Sequence, residues 1–201
     1  MLDNTKMRAL SAKSIDPIAS ALIKAHITAD QVTIFGAALS TFVSAKFLAQ
    51  GDFLVGGILL SLIGLSDLLD GTMARITGTA GSWGAFLDST LDRIVDGAIY
   101  GSLIFFYAKN FDLNSNLVIA LLIGLLGAFV TSYTRARWES LGVIGKVGLA
   151  ERSERSIAMF TGLILTGLGL DVMVFVIYAL ALASAFTVFQ RVMFVRKQLK
   201  K

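Results

Sequence analysis

Two short stretches place carboxylates at regular spacing within apolar sequence. SDLLDGTMAR carries Asp67 and Asp70 three residues apart, and FLDSTLDRIVDG carries Asp88 and Asp92 four residues apart. Residues at these spacings share one face of a helix. Three or four carboxylates on two adjacent antiparallel helices can hold two divalent cations, which together clamp a phosphoryl group for attack. The pattern therefore favours metal-assisted chemistry at a phosphate.

The kind of metal follows from the ligands that the chain offers. Four neighbouring carboxylates repel one another, so they cannot all stay ionised inside a protein without compensating cations. Oxygen donors alone favour Mg²⁺ or Mn²⁺ over Zn²⁺. The chain has no cysteine and one histidine, His26, which excludes disulfides, thiolate metal sites and a histidine-rich site.

A competing interpretation is that the aspartates are structural and pair with Arg75 and Arg93 inside a helical bundle. That interpretation would suffice for one pair, but it does not explain four carboxylates in register. Asp96 continues the same row and is better explained as a partner of Arg93. Gly71 and Gly84 lie close to the aspartates and leave room for a ligand to approach the helix backbone.

The elements that carry these residues are those of a membrane protein. The chain has 201 residues, 55% of them hydrophobic, with one proline and 19 glycines, and its mean hydropathy is +0.74. Six apolar segments are predicted to span the bilayer, at 31–49, 53–75, 84–108, 117–135, 156–170 and 172–190. We therefore predict an all-α integral membrane protein with six transmembrane helices, forming a single domain over 1–201. Residues 1–28 are predicted to form a juxtamembrane amphipathic interfacial helix rather than a signal peptide.

Charge placement predicts the orientation. If both termini are cytosolic, most of the 18 lysines and arginines lie at cytosolic ends, with Lys46, Lys109 and Arg93 as exceptions. At about 1.5 Å per residue, the four carboxylates then share one depth near the cytosolic boundary. The net charge of +4 is explained by topology and anionic lipid headgroups, so no nucleic-acid partner is expected. The predicted location is the plasma membrane, with the site facing the cytosol.

The complete spacing of the motif identifies a family. Its fixed positions read Asp67-x2-Asp70-Gly71-x2-Ala74-Arg75-x8-Gly84-x3-Asp88-x3-Asp92. This pattern resembles the signature of the CDP-alcohol phosphotransferase family, membrane enzymes that move a phosphatidyl-type group from a CDP-linked lipid to an alcohol and release CMP. The resemblance implies that Asp67, Asp70 and Asp88 ligate metal. It also implies that Asp92 is the general base and lies near a second metal ion.

The resemblance extends to the donor substrate, CDP-diacylglycerol. The stretch ITADQVTIFG is similar to the start of the family's first helix, and small residues and an arginine surround the nucleotide in the motif. The implied donor-binding residues are Asp30, Gln31, Val32, Thr33, Gly71, Ala74, Arg75, Gly81 and Gly84.

A second resemblance concerns the acceptor. SYTRAR followed by GLAERSER is similar to the SYxKAR and ERPER pattern of actinobacterial phosphatidylinositol phosphate synthases, with Arg135 in place of lysine and Ser153 in place of proline. Guanidinium groups match phosphate oxygens bidentately. The implied ligands of the acceptor phosphate are Ser132, Arg135, Arg152, Arg155 and Arg191. Positive-inside topology alone is the alternative explanation of this basic stretch.

These observations predict one reaction and leave two alternatives. The expected enzyme transfers the phosphatidyl group of CDP-diacylglycerol to a phosphorylated inositol, using two Mg²⁺ ions or Mn²⁺, and the resemblance suggests a homodimer. A phosphatidylglycerophosphate synthase would use glycerol 3-phosphate, which is also anionic. A divalent-cation transporter would place carboxylates at staggered depths with helices broken near the midplane, whereas here they share one depth.

Overall fold

The computed structural model describes residues 15–110, 116–145 and 147–200, and these form helices and turns without any strand. The all-helical class predicted from the sequence is therefore confirmed. Residues 15–24 form α1. The remaining helices are α2 (Ala29–Phe47), α3 (Phe53–Gly64), α4 (Ser66–Ile76), α5 (Ser82–Asn110), α6 (Asn116–Ser140), α7 (Arg152–Gly167) and α8 (Met173–Leu199), and a 3-10 turn at Leu48–Gln50 follows α2.

Four helical stretches of the described chain are long and apolar enough to cross a membrane. They are Ala29–Gln50, Phe53–Ile76, Asn116–Ser140 and Met173–Leu199. α5 has 29 residues, but a row of charged side chains interrupts its first half, and α7 has only 16 residues. Membrane integration is thus supported, while the count of six spans stays a prediction. Residues 1–14 of the predicted interfacial helix lie outside the described residues.

The second predicted span is divided into two helices at Leu65. The Ser66 hydroxyl donates to the Ile63 carbonyl oxygen at 2.6 Å, and the amides of Leu65 and Leu68 bond to carbonyls three residues earlier. A serine hydroxyl that competes for backbone carbonyls in this way commonly bends a helix. The break separates α3 from the helix that carries Asp67 and Asp70.

Several helices extend further into polar sequence than the apolar segments predicted. α6 ends at Ser140 rather than 135, and α8 ends at Leu199 rather than 190. α7 starts at Arg152, where Glu151 and Glu154 form a reciprocal capping box. Arginine, lysine and glutamate are good helix formers, so the helices continue where the apolar pattern stops.

The described chain divides into two compact units. Unit one combines the residues up to Phe42 with Ser61–Val95, and unit two combines Val43–Leu60 with the residues from Asp96 onward. In unit one, α2 approaches the start of α4 closely, since a β-carbon at Gly36 would lie 2.9 Å from the Ser66 hydroxyl. Unit one contains all four aspartates of the motif.

Unit two is built around α8, which packs against α6 and α7. Small residues allow these contacts: a β-carbon at Gly127 would lie 2.5 Å from that of Ser184, and one at Gly162 would lie 2.9 Å from the Val176 side chain. Such close approach of helix backbones is typical of packing in membrane proteins. Unit two contains the arginines predicted to bind the acceptor.

Candidate active site

Unit one contains a cavity of about 350 Å³ lined by the start of α2, by α4, by the turn after α4 and by the start of α5. Three of the four motif aspartates line this cavity. Asp67 and Asp70 lie one helical turn apart on α4, and Asp88 lies on α5. The predicted residues that line it are Asp30, Thr33, Asp67, Asp70, Gly71, Ala74, Arg75, Gly81, Gly84 and Asp88. The structure therefore brings most of the predicted metal and donor ligands to one place.

Asp70 is held by a residue of another helix. The Thr33 hydroxyl on α2 donates to Asp70 Oδ2 at 2.7 Å, and it also lies 3.0 Å from the Ala29 carbonyl oxygen. The carboxylates of Asp67 and Asp88 interact electrostatically with that of Asp70. A hydrogen bond to a carboxylate fixes its orientation and favours its charged form. Thr33 thus orients the carboxylate that lies at the centre of the acidic cluster.

The turn between α4 and α5 forms one wall of the cavity. Gly78 has a φ of 69°, and the amides of Thr79 and Ala80 both bond to the Ala74 carbonyl oxygen, at 2.9 and 3.1 Å. Glycine adopts this left-handed backbone conformation without the steric cost that a β-carbon brings. The chain therefore folds back over the last turn of α4 and presents the start of α5 to Asp67 and Asp70.

Gly71 and Gly84 line the cavity without a packing reason to be glycine. A β-carbon at Gly84 would meet no atom within 4 Å, and one at Gly71 would lie 3.5 Å from Nη1 of Arg75, an ordinary contact. Glycine in a helix costs roughly 0.5–1 kcal/mol relative to alanine. The open space beside these two glycines would allow a ligand to approach the helix backbone closely.

Arg75 lies over this part of α4. Its Nη2 donates to the Thr72 hydroxyl at 2.8 Å, and the side chain is otherwise exposed at the edge of the cavity. The arginine therefore places a positive charge beside three carboxylates. A guanidinium in that position can bind phosphate oxygens.

The start of α2 is joined to the start of α5 by a contact that sequence reasoning missed. Trp83 Nε1 donates to Asp30 Oδ2 at 2.8 Å, and the Trp83 ring packs 6.0 Å from that of Phe86. Gln31, by contrast, forms a reciprocal capping pair with Thr28, with bonds of 3.0 and 3.2 Å. Gln31 and Val32, which were also predicted to bind the donor, are not among the described residues that line the cavity.

Four further lining residues were also missed. They are Ala29, Thr79, Ala80 and Ala85. Ala85 lies three residues before Asp88 on the same face of α5, so its helical spacing was a usable signal. The others depend on the fold of the turn and on the position of α2, which local spacing does not determine.

Asp92 lies one turn after Asp88 on α5 and is half-buried, and it is not part of the described cavity lining. Within the described residues, no three His, Cys, Asp or Glu side chains stand close enough to form a metal centre by themselves. The donor set of Asp67, Asp70 and Asp88 consists only of carboxylate oxygens, which fits a hard divalent cation.

The predicted acceptor residues lie in unit two, where two arginines converge on Thr131 of α6. Nη1 of Arg155 donates to the Thr131 hydroxyl at 3.4 Å and to the Ala150 carbonyl oxygen at 2.9 Å. Nη1 of Arg191 donates to the Thr131 carbonyl oxygen, and its Nε donates to the Val147 carbonyl oxygen at 3.0 Å. Both side chains are buried, and backbone carbonyl oxygens accept hydrogen bonds from each guanidinium.

Other members of the acceptor set are held differently. Arg135 interacts electrostatically with Arg191, and it forms an exposed ion pair of 2.9 Å with Glu139. Ser132 Oγ donates to the Ala128 carbonyl oxygen at 3.2 Å, and Arg152 is the first residue of α7. Arg191, Arg155 and Arg135 therefore form a cluster of like charge, which suits an anionic ligand.

The chain is similar to known proteins along most of its length. The sequence profile of the family described as CDP-alcohol phosphatidyltransferase matches residues 26–190. The phosphatidylinositol phosphate synthase of Streptomyces avermitilis is 39% identical over 203 residues, which cover 97% of this chain and 83% of that protein.

Solved structures agree with this similarity. A crystal structure of Mycobacterium tuberculosis phosphatidylinositol phosphate synthase with CDP-DAG bound superposes with a TM-score of 0.86 at 35% identity, covering 92% of this chain and 94% of that one. A crystal structure of the same enzyme in complex with manganese and citrate gives a TM-score of 0.83 at 36% identity, covering 89% of this chain and 87% of that one.

Proposed function

The chain belongs to the CDP-alcohol phosphatidyltransferase family, and from this membership we propose that it transfers the phosphatidyl group of CDP-diacylglycerol to a phosphorylated inositol. The products are phosphatidylinositol phosphate and CMP. The family predicted from the aspartate motif is confirmed, and the chain is an enzyme of that class. Intramembrane carboxylates alone are also compatible with a divalent-cation transporter. Family membership favours the transferase over that alternative.

One observation supports the chemistry above all others. A single cavity collects Asp67, Asp70 and Asp88 together with Arg75 and helical glycines whose β-positions are open. Carboxylates for a metal, a cation for phosphate and space for a ligand against the backbone are the parts that a pyrophosphate-cleaving transferase needs. The cavity is accordingly the proposed binding site of the cytidine diphosphate group.

The enzyme depends on a divalent metal, as its family indicates. The proposed ions are two Mg²⁺, with Mn²⁺ as a substitute, held by Asp67, Asp70 and Asp88 with Asp92 beside the second. A bound divalent cation neutralises phosphate charge and stabilises the charge that develops during transfer. Asp70 is oriented for this role by the Thr33 hydroxyl, and Arg75 binds a phosphate oxygen at the edge of the cavity.

Replacing Thr33 with valine tests the orientation of Asp70. The substitution removes the hydrogen bond to Oδ2 and retains the shape of the side chain. We expect an apparent affinity for Mn²⁺ about 10-fold weaker, because groups that orient a metal ligand contribute to metal binding. The measurement is transferase rate against Mn²⁺ concentration. Thr41→Val is the matched control, since its hydroxyl bonds to the Ala37 carbonyl oxygen on the same helix; equal Mn²⁺ dependence of both variants would contradict the proposed role of Thr33.

The proposed reaction breaks the phosphoanhydride bond of CDP-diacylglycerol and forms a phosphate ester with the acceptor. Asp92 accepts the proton of the acceptor hydroxyl, whose oxygen attacks the lipid-bearing phosphorus of CDP-diacylglycerol. The bond from that phosphorus to the bridging oxygen breaks, and CMP leaves with the electron pair. Arg135, Arg152, Arg155 and Arg191, with Ser132, are proposed to bind the phosphate of the acceptor and so orient its hydroxyl.

An acceptor panel tests the proposed substrate. Purified protein with CDP-diacylglycerol and Mg²⁺ is expected to release CMP at least about 100-fold faster with myo-inositol phosphate than with free inositol, because the arginine cluster requires an anion. Glycerol 3-phosphate, serine and choline complete the panel. Turnover with glycerol 3-phosphate and none with inositol phosphate would identify a phosphatidylglycerophosphate synthase instead.

The proposed arrangement in the membrane has six spans, with α5 and α7 added to the four apolar stretches. α5 supports this with its 29 residues, since about 20 residues span the hydrocarbon core. Both termini and the active site are proposed to face the cytosol at the plasma membrane, because basic residues gather at those ends. An interfacial helix within residues 1–28 and a homodimer, which the family resemblance suggests, complete the proposal.

A further inference from the structure

A second concave site lies in unit two along the last three turns of α8. It is a groove of about 780 Å³, and none of its lining residues takes part in the donor cavity. The residues that line it are Val147, Phe189, Gln190, Met193, Phe194, Arg196, Lys197 and Lys200. The described lining contains three cations and no carboxylate.

The polarity of the groove changes in one direction along the helix. Phe189, Met193 and Lys197 follow one another at helical spacing and so share one face of α8, and Lys200 directly follows the last residue of the helix. Phe189 is 60% exposed and Met193 is 42% exposed. The groove therefore begins with uncovered apolar side chains and ends with cations, over about 16 Å at 1.5 Å per residue.

The back of the groove is rigidly packed. The Phe194 ring lies 5.6 Å from that of Trp138 in an edge-to-face arrangement, and it packs directly against the backbone at Gly145. Trp138 is 2% exposed, so the support behind the ring belongs to the core of unit two. The Phe194 ring therefore forms a wall of the groove that is packed against the core of unit two.

We propose that this groove binds one anionic phospholipid, with an acyl chain against Phe189 and Met193 and the headgroup phosphate on Lys197, Lys200 and Arg196. α8 is a candidate membrane span, so the change from apolar to basic side chains follows the order of chain and headgroup in a lipid. Clustered basic residues at the end of a span attract anionic headgroups.

Charge argues against two other occupants. A second copy of this chain seated on the same face would bring the same cations toward these, and like charges would repel. A small soluble anion would use the cations but would leave the apolar half uncovered. A lipid with a negatively charged headgroup satisfies both halves.

The test is lipid binding measured by native mass spectrometry on delipidated protein. Phosphatidylglycerol and phosphatidylcholine with identical acyl chains are added to the wild type, to Lys197→Gln/Lys200→Gln, to Met193→Trp and to the control Lys46→Gln/Lys109→Gln. The control removes the same charge from two exposed lysines outside the groove. Size-exclusion chromatography and CMP release verify that each variant is folded.

We expect the wild type and the control to bind phosphatidylglycerol at least about 10-fold more tightly than phosphatidylcholine. Lys197→Gln/Lys200→Gln should weaken phosphatidylglycerol binding about 10-fold, and Met193→Trp should weaken binding of both lipids by filling the apolar half. Added cytidine diphosphate should displace neither lipid. Equal binding of the two lipids by the wild type, an equal loss in the control, an unaffected Met193→Trp, or displacement by cytidine diphosphate would each overturn the proposal.

Discussion

Replacing Asp92 with asparagine is expected to reduce CMP release about 1,000-fold while the protein remains folded. Asparagine has nearly the same shape as aspartate, but its amide does not accept a proton at neutral pH. General-base catalysis typically contributes 10²- to 10⁴-fold, so the loss should be large. Asp92 lies one turn from Asp88 and outside the described lining of the donor cavity, so cytidine diphosphate should bind the variant nearly as well as the wild type. The measurements are CMP release at saturating substrates and calorimetric binding of cytidine diphosphate.

Asp171→Asn is the matched control, because Asp171 is an exposed aspartate in the turn before α8. It should retain wild-type turnover. If Asp92→Asn turned over at the wild-type rate, the general-base role would be refuted. If it instead lost both turnover and cytidine diphosphate binding, the position of Asp92 beside the second metal ion would account for the loss, and no general-base role would be needed.

The central part of the donor cavity could be predicted from sequence because its geometry is helical. Asp67 and Asp70 occur at i, i+3 and share a face of α4, and Gly84 and Asp88 occur at i, i+4 and share a face of α5. Local spacing fixes these relations before any tertiary contact forms. The apolar segments then predicted that the two faces belong to neighbouring helices, and the cavity contains both.

Contacts between distant parts of the chain could not be predicted in the same way. Thr33 reaches Asp70 across 37 residues, and Trp83 reaches Asp30 across 53. Thr33 was selected through resemblance to the family, but its role as a hydrogen-bond donor to a carboxylate came only from the fold. Trp83 gave no signal, because an isolated tryptophan near a helix start is also typical of a membrane interface.

The pattern of charges along the sequence does not show which of the predicted acceptor arginines bind phosphate. Positive-inside topology and phosphate binding both explain a basic segment. The fold separates its members: Arg135 is exposed beside Glu139, whereas Arg155 and Arg191 are buried against backbone carbonyls. Burial of a guanidinium is costly unless its donors are satisfied, so topology alone does not explain the buried pair.

Arg191→Lys is expected to raise the KM for myo-inositol phosphate at least about 10-fold and to leave the KM for CDP-diacylglycerol nearly unchanged. Arg191 donates to the carbonyl oxygens of Val147 and Thr131, and its guanidinium carbon lies 5.3 Å from the centre of the Trp138 ring. Lysine keeps the charge, but a single ammonium cannot bond to both carbonyls, stack on the indole and still present a planar fork to phosphate. The measurements are initial rates against each substrate.

Arg191→Gln separates charge from geometry, because it removes the cation and retains a planar donor. It should raise the same KM further, about 100-fold, and lower the unfolding temperature, since a buried carbonyl left without its donor costs about 1–3 kcal/mol. Arg137→Gln is the control: this exposed arginine of α6 bonds to Ser140 and should change neither quantity. If both Arg191 variants lowered the unfolding temperature but kept the wild-type KM for inositol phosphate, the role of Arg191 would be structural only. It would link the Val147 and Thr131 carbonyl oxygens to α8. The acceptor phosphate would then have to be bound by Arg135, Arg152 and Arg155.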